Sequence, residues 1–422
     1  MKTWGRITRA KKLSLANVAH AAAGGDVQRA LDLARSHIRR TSVKAHAFRR
    51  ATNFGASNLY ATLERASCLD LFRPEPRPIA WRYEEKRRGR YRIVCDPPVA
   101  VRVGQLIAKE LLRAQWNARP HIFEWPGHGG CQGAVAAVRD ALNTHGRYVV
   151  SADIRDCYPT FNPDYLYTTN MLPPEFVATM LDSRQFRYRV KGDIPSSIDH
   201  TEQTRPRGLM QGGAASSTFL AIAFDDLPEH MPDGVVPIVF SDNIILICRS
   251  EVDCEAAATS LGRYLDDNPA GAFSPSIELA WVRCHAEDAD NPHAASLPRS
   301  FEQLGYCFCT NSAGDCIAVP SAANERKAWL RGAHYIAGQS RGLSQTPTFQ
   351  DIVQEVLVGF PARSPEADEY FAGVMEPEYV AVCRARRMVA TGSTPDGYVW
   401  IDGLPVRNRT RKPPAPPWTC EA

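Results

Sequence analysis

The sequence predicts a protein of the α+β class that contains an antiparallel sheet. Helices are indicated by Ala-rich stretches between residues 13 and 68 and by the apolar spacing over residues 101–116. Strands are indicated by short β-branched runs, one at residues 148–152 and two more at 238–240 and 244–248. With 422 residues, the chain is long enough to form two or three compact units.

The composition is that of a soluble globular protein. Hydrophobic residues make up 44% of the sequence and charged residues 23%, as in ordinary globular domains. No apolar run approaches the roughly 20 residues of a transmembrane helix, and no apolar signal core follows the N-terminal residues. We therefore expect a cytoplasmic protein with no membrane partner, whose twelve scattered cysteines stay reduced.

Basic charge is concentrated near the N-terminus. Residues 1–50 hold twelve Lys and Arg against two Asp, although the chain as a whole carries a net charge of only +4. This asymmetry predicts that a polyanion binds at one defined place. The candidate nucleic-acid-binding residues of this segment are Arg39, Arg40, Lys44, Arg49 and Arg50. The alternative is a solvated basic helix face.

The first third of the chain is predicted to be mainly helical. Residues 13–68 favour helices through their Ala content, with breaks at Gly24-Gly25 and at Gly55. Residues 71–94 change to Pro, Arg and aromatic side chains. A helix follows at 101–116, where Val103, Leu106, Ile107, Leu111 and Leu112 share one face.

The later elements are predicted in the same way. A second helix spans residues 134–142, after a Gly-rich turn. Residues 301–308 alternate in polarity around Gly305 and predict a strand with a turn. Residues 321–390 favour helices, and the basic, Pro-rich segment 407–417 favours an extended tail.

Two acidic residues occupy places where strands can bring them together. Asp153 ends an apolar run, which predicts a buried strand with a carboxylate at its end. Asp242 lies between two apolar runs, which predicts a hairpin with the acid at its tip. Two Mg²⁺ ions about 4 Å apart need oxygen ligands from different strands, so this pair suits two-metal phosphoryl transfer. The alternative is that each acid merely caps a turn.

Three segments in a fixed order resemble a known family. They are Tyr148 to Tyr158, Arg207 to Gly212 and Ile238 to Cys248. At these residues the chain resembles the palm of a reverse transcriptase, and the resemblance spans roughly residues 70 to 310. It implies a right-hand polymerase with fingers, an antiparallel-sheet palm and a helical thumb. The implied domains are a basic helical extension at 1–70, fingers at 71–145, palm at 146–310, thumb at 311–395 and a basic Pro-rich tail at 396–422.

The resemblance also implies roles for individual residues. Asp153, Ile154 and Asp242 would hold two Mg²⁺ ions, for which Mn²⁺ can substitute, and Asn243 would complete the catalytic set. The deoxynucleotide would be bound by Lys86, Arg92, Ile154, Tyr158, Gln211 and Gly212. In the family, an aromatic residue in the place of Tyr158 blocks a 2′-hydroxyl, which implies a DNA product. The alternatives are a core role for Tyr158 and a solvated basic run around Lys86.

The function implied by the resemblance is that of an RNA-directed DNA polymerase. It would be of the bacterial type, similar to the enzymes of retrons, group II introns and phage-defence loci, and would add dNTPs to a 3′-hydroxyl. The compact length favours the antiphage-defence group. The implied partners are a structured non-coding RNA, the DNA product, dNTPs, and either a second copy of the chain or an accessory defence protein. A template-independent, protein-primed polymerase and a catalytically impaired nucleic-acid-binding scaffold are the alternatives.

The sequence departs from the family pattern at the hairpin. The family usually carries two consecutive acids there, and this chain has Asn243 in the second place. An amide oxygen carries no charge, so one metal ion would be held less tightly. Three interpretations stay open: a natural and tolerated asparagine, an engineered substitution that traps an inactive state, and a natural pseudoenzyme.

A zinc site is the weaker interpretation of the late cysteines. The candidate ligands are Cys284, His285, Cys307, Cys309 and Cys316. Their spacing has no CxxC knuckle, and alternation at 307 and 309 suits one face of a strand, so we expect core cysteines.

Overall fold

A computed structural model gives the fold of the chain. It describes residues 4–52, 59–87, 90–194, 206–282, 300–311, 313–321, 398–401 and 404–407. The helices are α1 Trp4–Ala23, α2 Val27–Arg39, α3 Thr41–Thr52, α4 Leu59–Ser67, α5 Val99–Gln115, α6 Gly130–Thr144, α7 Cys157–Thr160, α8 Tyr165–Thr168, α9 Pro174–Met180, α10 Ser216–Ala223 and α11 Glu251–Asp266. The strands are β1 Ile79–Arg87, β2 Arg90–Asp96, β3 Tyr148–Arg155, β4 Tyr188–Val190, β5 Val236–Phe240, β6 Asn243–Cys248, β7 Ser274–Trp281, β8 Phe301–Gln303, β9 Tyr306–Thr310, β10 Cys316–Pro320, β11 Tyr398–Ile401 and β12 Leu404–Arg407.

The chain divides into two compact units. The first consists of Met1–Trp125, Asp153–Met231 and Thr259–Ser276. The second consists of Pro126–Ala152, Pro232–Ala258 and Ile277–Ala422. Helices and antiparallel strands both occur, so the predicted α+β class is confirmed. The arrangement into fingers, palm and thumb stays a prediction.

A bundle of α1, α2, α3 and α5 opens the first unit. The predicted break is confirmed, because Gly25 adopts φ 74°, a left-handed conformation that ends α1. Asp26 then caps α2 by accepting a hydrogen bond from the Arg29 amide at 3.0 Å. Ala34 and Ile38 are fully buried on the inner face of α2. The predicted break at Gly55 lies outside the described residues.

A three-stranded sheet in the order β2-β1-β4 follows in the first unit. β1 and β2 form an antiparallel hairpin, and β4 adds in parallel to β1. Ile79, Trp81, Ile93 and Cys95 are buried on one face and pack with Met210, which comes from a distant part of the sequence. The region that the composition marks by its Pro, Arg and aromatic side chains is therefore a sheet, and the resemblance to the fingers segment implied a hairpin within it.

A four-stranded sheet in the order β5-β6-β3-β7 lies mainly in the second unit. β5 and β6 are antiparallel. Gly146, just before β3, lies against the backbone of Cys248 at the end of β6, so β3 must run antiparallel to β6. Val282, just after β7, donates its amide hydrogen to the carbonyl of Arg147, just before β3, at 2.9 Å. β7 therefore also runs antiparallel to β3.

A smaller sheet in the order β10-β9-β8 completes the described part of the second unit's core. The predicted strand and turn over residues 301–308 are confirmed as β8 and β9, with Gly305 between them. Cys307, Cys309 and Cys316 are buried in this sheet, as expected of core cysteines. Within the described ranges no group of three or more His, Cys, Asp or Glu could hold a metal ion. Cys284 and His285 lie outside those ranges.

The remaining predictions have mixed outcomes. The helices predicted at 101–116 and 134–142 are confirmed as α5 and α6. The helices predicted at 321–390, including the thumb, fall almost wholly outside the described residues. Part of the predicted tail domain instead forms the β11–β12 hairpin. Among the described helices, none combines the length and the apolar character that crossing a membrane would require.

Candidate active site

The β5–β6 hairpin presents Asp242 in a tight loop. Phe240 pairs with Asn243, so Ser241 and Asp242 alone form the loop. Ser241 adopts φ 58°, the positive value that two-residue hairpin loops require at their first position. The Asn243 amide donates to the Asp242 Oδ1 at 3.2 Å and to the Phe240 carbonyl at 3.4 Å. The hairpin predicted from sequence is confirmed, and Asn243 orients the acid beside it.

β3 carries Asp153 near its end. The strand continues two residues beyond the acid to Arg155, whereas the sequence predicts that it ends at Asp153. Asp153 is exposed and Ile154 is buried, as the alternation of a half-buried strand requires. The chain then turns at Asp156, which adopts a left-handed φ of 46°. The Asp153 carboxylate therefore points to the open face of β3.

Tyr158 lies in α7 and is tied to a second predicted segment. Its carbonyl accepts the Leu209 amide hydrogen at 2.8 Å. Gly208 adopts φ 64°, and a Cβ there would overlap that same carbonyl oxygen. Only glycine fits both requirements. The structure thus brings the Tyr158 segment against the start of the Leu209–Gly213 turn within the first unit.

The turn that carries Gln211 and Gly212 is held by β2. The Cys95 amide donates to the Gln211 carbonyl at 2.9 Å. Gly212 adopts φ 94°, and a Cβ there would come to 2.9 Å from the Cys95 carbonyl oxygen. Burial raises the pKa of the Cys95 thiol to about 12, so this cysteine stays protonated and unreactive beside the turn.

Gln105 of α5 fastens the other end of the same turn. It is buried, and its Oε1 accepts the Ala214 amide hydrogen at 2.8 Å. The Ser216 hydroxyl donates to the Met210 carbonyl at 2.8 Å. No role was predicted from sequence for Gln105 or Gly208. Gly208 lies within the Arg207 to Gly212 segment that resembles the polymerase family, whereas Gln105 lies only within the wider span of the resemblance, residues 70 to 310.

The two basic residues predicted on the β1–β2 hairpin are placed on paired strands. Arg92 lies opposite Glu84 and donates to its Oε1 at 2.6 Å. This hydrogen bond holds the pKa of the Glu84 carboxyl below its usual value. Both side chains remain partly exposed, so the Arg92 guanidinium is accessible from solvent. Lys86 lies in β1, and its side chain is outside the described part of the chain.

The predicted nucleic-acid-binding residues lie on α2, α3 and the residue between them. The Arg39 and Arg49 guanidinium carbons each lie 5.0 Å from the centre of an aromatic ring, that of Phe72 and that of Trp4 respectively. Arg50 donates to the Glu110 Oε1 at 3.0 Å. The remaining two are Arg40 and Lys44. Arg40 follows the last residue of α2 as its C-cap.

Lys44 has an internal role in the structure. Its ammonium donates to the Leu69 carbonyl at 2.6 Å, and the residue is buried. Burial lowers the pKa of this ammonium. Lys44 therefore joins α3 to the segment after α4, and it does not present its charge at the surface.

Comparisons with known proteins add little to this picture. No protein-family model matches the chain, and no curated protein sequence matches it. Among solved structures, the chain is similar to telomerase from Candida albicans, in complex with a TWJ fragment of telomeric RNA, with a TM-score of 0.36 and 11% identity. The match covers 76% of this chain and 62% of that one, so the chain spans about three fifths of its length. A likeness this distant assigns neither activity nor ligand.

Proposed function

We propose that the chain is an RNA-directed DNA polymerase that adds dNTPs to a 3′-hydroxyl. The observation that carries the proposal is the sheet order β5-β6-β3-β7. It makes the strand that bears Asp153 the direct neighbour of the strand that follows Asp242. In the proposed site, both carboxylates serve one reaction centre.

The register of the two strands supports this pairing. Gly146 lies against Cys248, which fixes one point at which β3 and β6 meet. Asp153 is seven residues beyond Gly146, and Asp242 is six residues before Cys248. At about 3.3 Å per residue along a strand, these paths differ by roughly one residue. Asp242 is therefore expected opposite Ala152, the residue that directly precedes Asp153 in β3.

The donor set fits Mg²⁺. Two carboxylates with a backbone carbonyl of Ile154 are hard oxygen ligands, the kind that Mg²⁺ prefers. When bound, the ions would favour the ionised 3′-hydroxyl and offset charge on the triphosphate. The protein's own part is to hold Asp153 on a rigid strand and Asp242 in a two-residue loop whose acid is oriented by Asn243.

The Leu209–Gly213 turn is the proposed nucleotide-binding element. It is fixed by the Tyr158 carbonyl, the Cys95 backbone and the Gln105 side chain. A turn fixed at three points can hold a base pair in place, because little motion remains to be lost on binding. Tyr158, anchored through the same hydrogen bond, would exclude the 2′-hydroxyl by its bulk. Arg92 would bind the triphosphate.

The proposal includes an RNA template and, as the finer expectation, a dedicated non-coding RNA in bacterial antiphage defence. The basic balance of residues 1–50 supports an RNA partner. One observation favours a second candidate, a nucleic-acid-binding scaffold that has lost catalysis. Asn243 leaves the hairpin with one carboxylate, and its amide donates to that carboxylate.

The test is Mg²⁺-dependent dNTP incorporation on a primed RNA template by matched variants. Asp153→Asn should lower incorporation about a thousandfold or more, because it removes a charged metal ligand worth several kcal/mol. Asp156→Asn is the matched control, since asparagine tolerates the left-handed φ of 46° found there. Equal activity of both variants would overturn the site assignment. If neither the native chain nor Asn243→Asp incorporates dNTPs, the scaffold is the better function.

A further inference from the structure

Two buried thiols lie together in the second unit. Cys248 is the last residue of β6, and Cys254 is the fourth residue of α11. Both cysteines are buried, and neither takes part in a disulfide. A hydrogen bond joins the two side chains. The proposed polymerase site uses neither residue, so this pair has no role in the function described above.

The backbone around the two thiols is fixed at both ends. Ser250 begins α11, because its hydroxyl accepts the Asp253 amide hydrogen at 3.1 Å and its carbonyl accepts the Cys254 amide hydrogen at 3.1 Å. Gly146 lies against the backbone of Cys248 on the other side. The two sulfur atoms therefore meet in a defined place, between the end of a strand and the first turn of a helix.

The hydrogen bond gives the two sulfur atoms different chemistry. The Cys248 thiol stabilises the Cys254 thiolate by donating to it, which lowers the pKa of Cys254 and raises the pKa of Cys248. Burial and the neighbouring acids oppose the shift at Cys254, but the hydrogen bond outweighs them. The first turn of a helix also has a positive potential that favours a thiolate. Cys254 is therefore the better nucleophile of the pair.

A small oxidant can reach this turn from solvent. Val252, two residues before Cys254, is 74% exposed, so the first turn of α11 lies at the surface of the protein. Helix ends fray, and such local opening costs far less than global unfolding. Hydrogen peroxide is little larger than water, so a brief opening of this turn is enough to admit it.

We propose that Cys248 and Cys254 form a redox-responsive pair, which a hydroperoxide converts into a disulfide. The Cys254 thiolate attacks one oxygen of hydrogen peroxide and the O–O bond breaks, giving a sulfenic acid and a hydroxide that takes a proton from solvent. The Cys248 sulfur then attacks the Cys254 sulfur, and its proton leaves with the hydroxyl group as a second water. The two sulfur atoms lose two electrons in total, and the peroxide is reduced to two waters.

The disulfide would tie the end of β6 to the start of α11. It would close a short loop, and such a bond stabilises a protein by limiting the freedom of the unfolded chain. The oxidised protein should therefore unfold at a higher temperature than the reduced protein.

Peptide mapping of the full chain after treatment with hydrogen peroxide tests the proposal. Trypsin cleaves after Arg249, which places Cys248 in the peptide 208–249 and Cys254 in the peptide 250–263, each without a second cysteine. Mass spectrometry should find these two peptides joined, and dithiothreitol should separate them. The midpoint of thermal unfolding should rise by several degrees with the link and fall again with dithiothreitol.

Cys68→Ser is the control, because it removes an exposed cysteine and should leave the link intact. Cys254→Ser should abolish both the link and the rise in the unfolding midpoint. The proposal is wrong if both peptides are recovered unlinked with alkylated thiols while Cys68 of the native chain is oxidised. A link to a different cysteine, or an unchanged midpoint in the linked protein, would equally overturn it. No Mg²⁺ or dNTP is present, so the outcome is independent of the proposed polymerase activity.

Discussion

His37 makes the stability of the N-terminal bundle depend on pH. It lies on α2, is fully buried, and its Nδ1 is 2.7 Å from the Ser14 hydroxyl oxygen. Ser14 uses its own hydrogen to reach the Lys11 carbonyl at 3.0 Å, so Nδ1 must be the donor in the pair with His37. Nε2 is then the bare acceptor, buried with no hydrogen-bond partner among the described residues. The imidazole is therefore neutral.

The magnitude follows from the pKa. Burial, helped by the charges of Lys11 and Arg40 and opposed by Glu110, lowers the pKa of His37 from 6.5 to about 4. Between these two pH values the unfolded chain binds a proton at His37 and the folded chain does not. The contribution of His37 to the free energy of unfolding is therefore fully present above about pH 6.5 and is lost as the pH falls towards 4. From pH 7 to pH 5 this group alone costs about 2 kcal/mol in the free energy of unfolding.

Urea unfolding followed by circular dichroism at pH 7 and pH 5 measures the effect. In His37→Asn the amide can still donate to Ser14 but cannot titrate. The native chain should therefore lose about 2 kcal/mol more than this variant over the same pH interval. Burial also lowers the pKa of His46 and of His121. Both histidines remain in the variant, so their contributions to the pH dependence cancel in the comparison. His20→Asn, at an exposed position, should behave like the native chain.

An identical loss of stability in the native chain and His37→Asn would refute the reasoning. It would mean that His37 accepts a proton in the folded bundle without cost. A larger loss in the variant would equally contradict it.

Three further predictions concern the candidate active site. Gly208→Ala should destabilise the first unit by about 2 kcal/mol or more and raise the KM for dNTP, because the new Cβ meets the Tyr158 carbonyl oxygen at a positive φ. Gly262→Ala, in open space on α11, should instead stabilise the chain by up to about 1 kcal/mol, and thermal melts of both variants measure the two effects. Tyr158→Ala should admit ribonucleotides, seen as a lower ratio of kcat/KM for dNTP over rNTP, whereas unchanged discrimination removes its steric role. Asn243→Asp should lower the Mg²⁺ concentration that gives half-maximal activity, because it adds a charged ligand. An unaltered Mg²⁺ titration would show that the second position contributes no ligand.

Local patterns in the sequence were enough to find most elements. The β5–β6 hairpin was predicted because two apolar runs flank Ser241-Asp242, and a two-residue loop leaves few alternatives. The end of α1 was predicted because Gly24-Gly25 interrupts an Ala-rich stretch, and Gly25 indeed adopts a left-handed φ, which ends a helix. The end of β3 was predicted two residues early, because a charged residue on the open face of a strand does not end it.

Long-range contacts were beyond the reach of these patterns. Lys44 was predicted as a surface charge, yet its ammonium is held by carbonyl groups about 25 residues further along the chain. β4 has only three residues, and its parallel pairing with β1 joins segments that no spacing connects. The sequence around a basic residue or a short strand does not show which distant segment will fix its position.

The Leu209–Gly213 turn shows why the candidate site needed both kinds of information. The sequence singled out Gln211 and Gly212 by family resemblance, but nearby contacts, such as that of the Ser216 hydroxyl with the Met210 carbonyl, are only part of what fixes their conformation. Their positions also depend on the Cys95 backbone, on Gln105 and on Tyr158, which Gly208 approaches closely, and these three residues are distant in sequence from the turn. A turn that closes on three separate segments of one unit forms only when that unit folds. The nucleotide binding proposed there would therefore depend on the folding of the first unit, and a change at any of the three anchors should weaken it without touching the ligand.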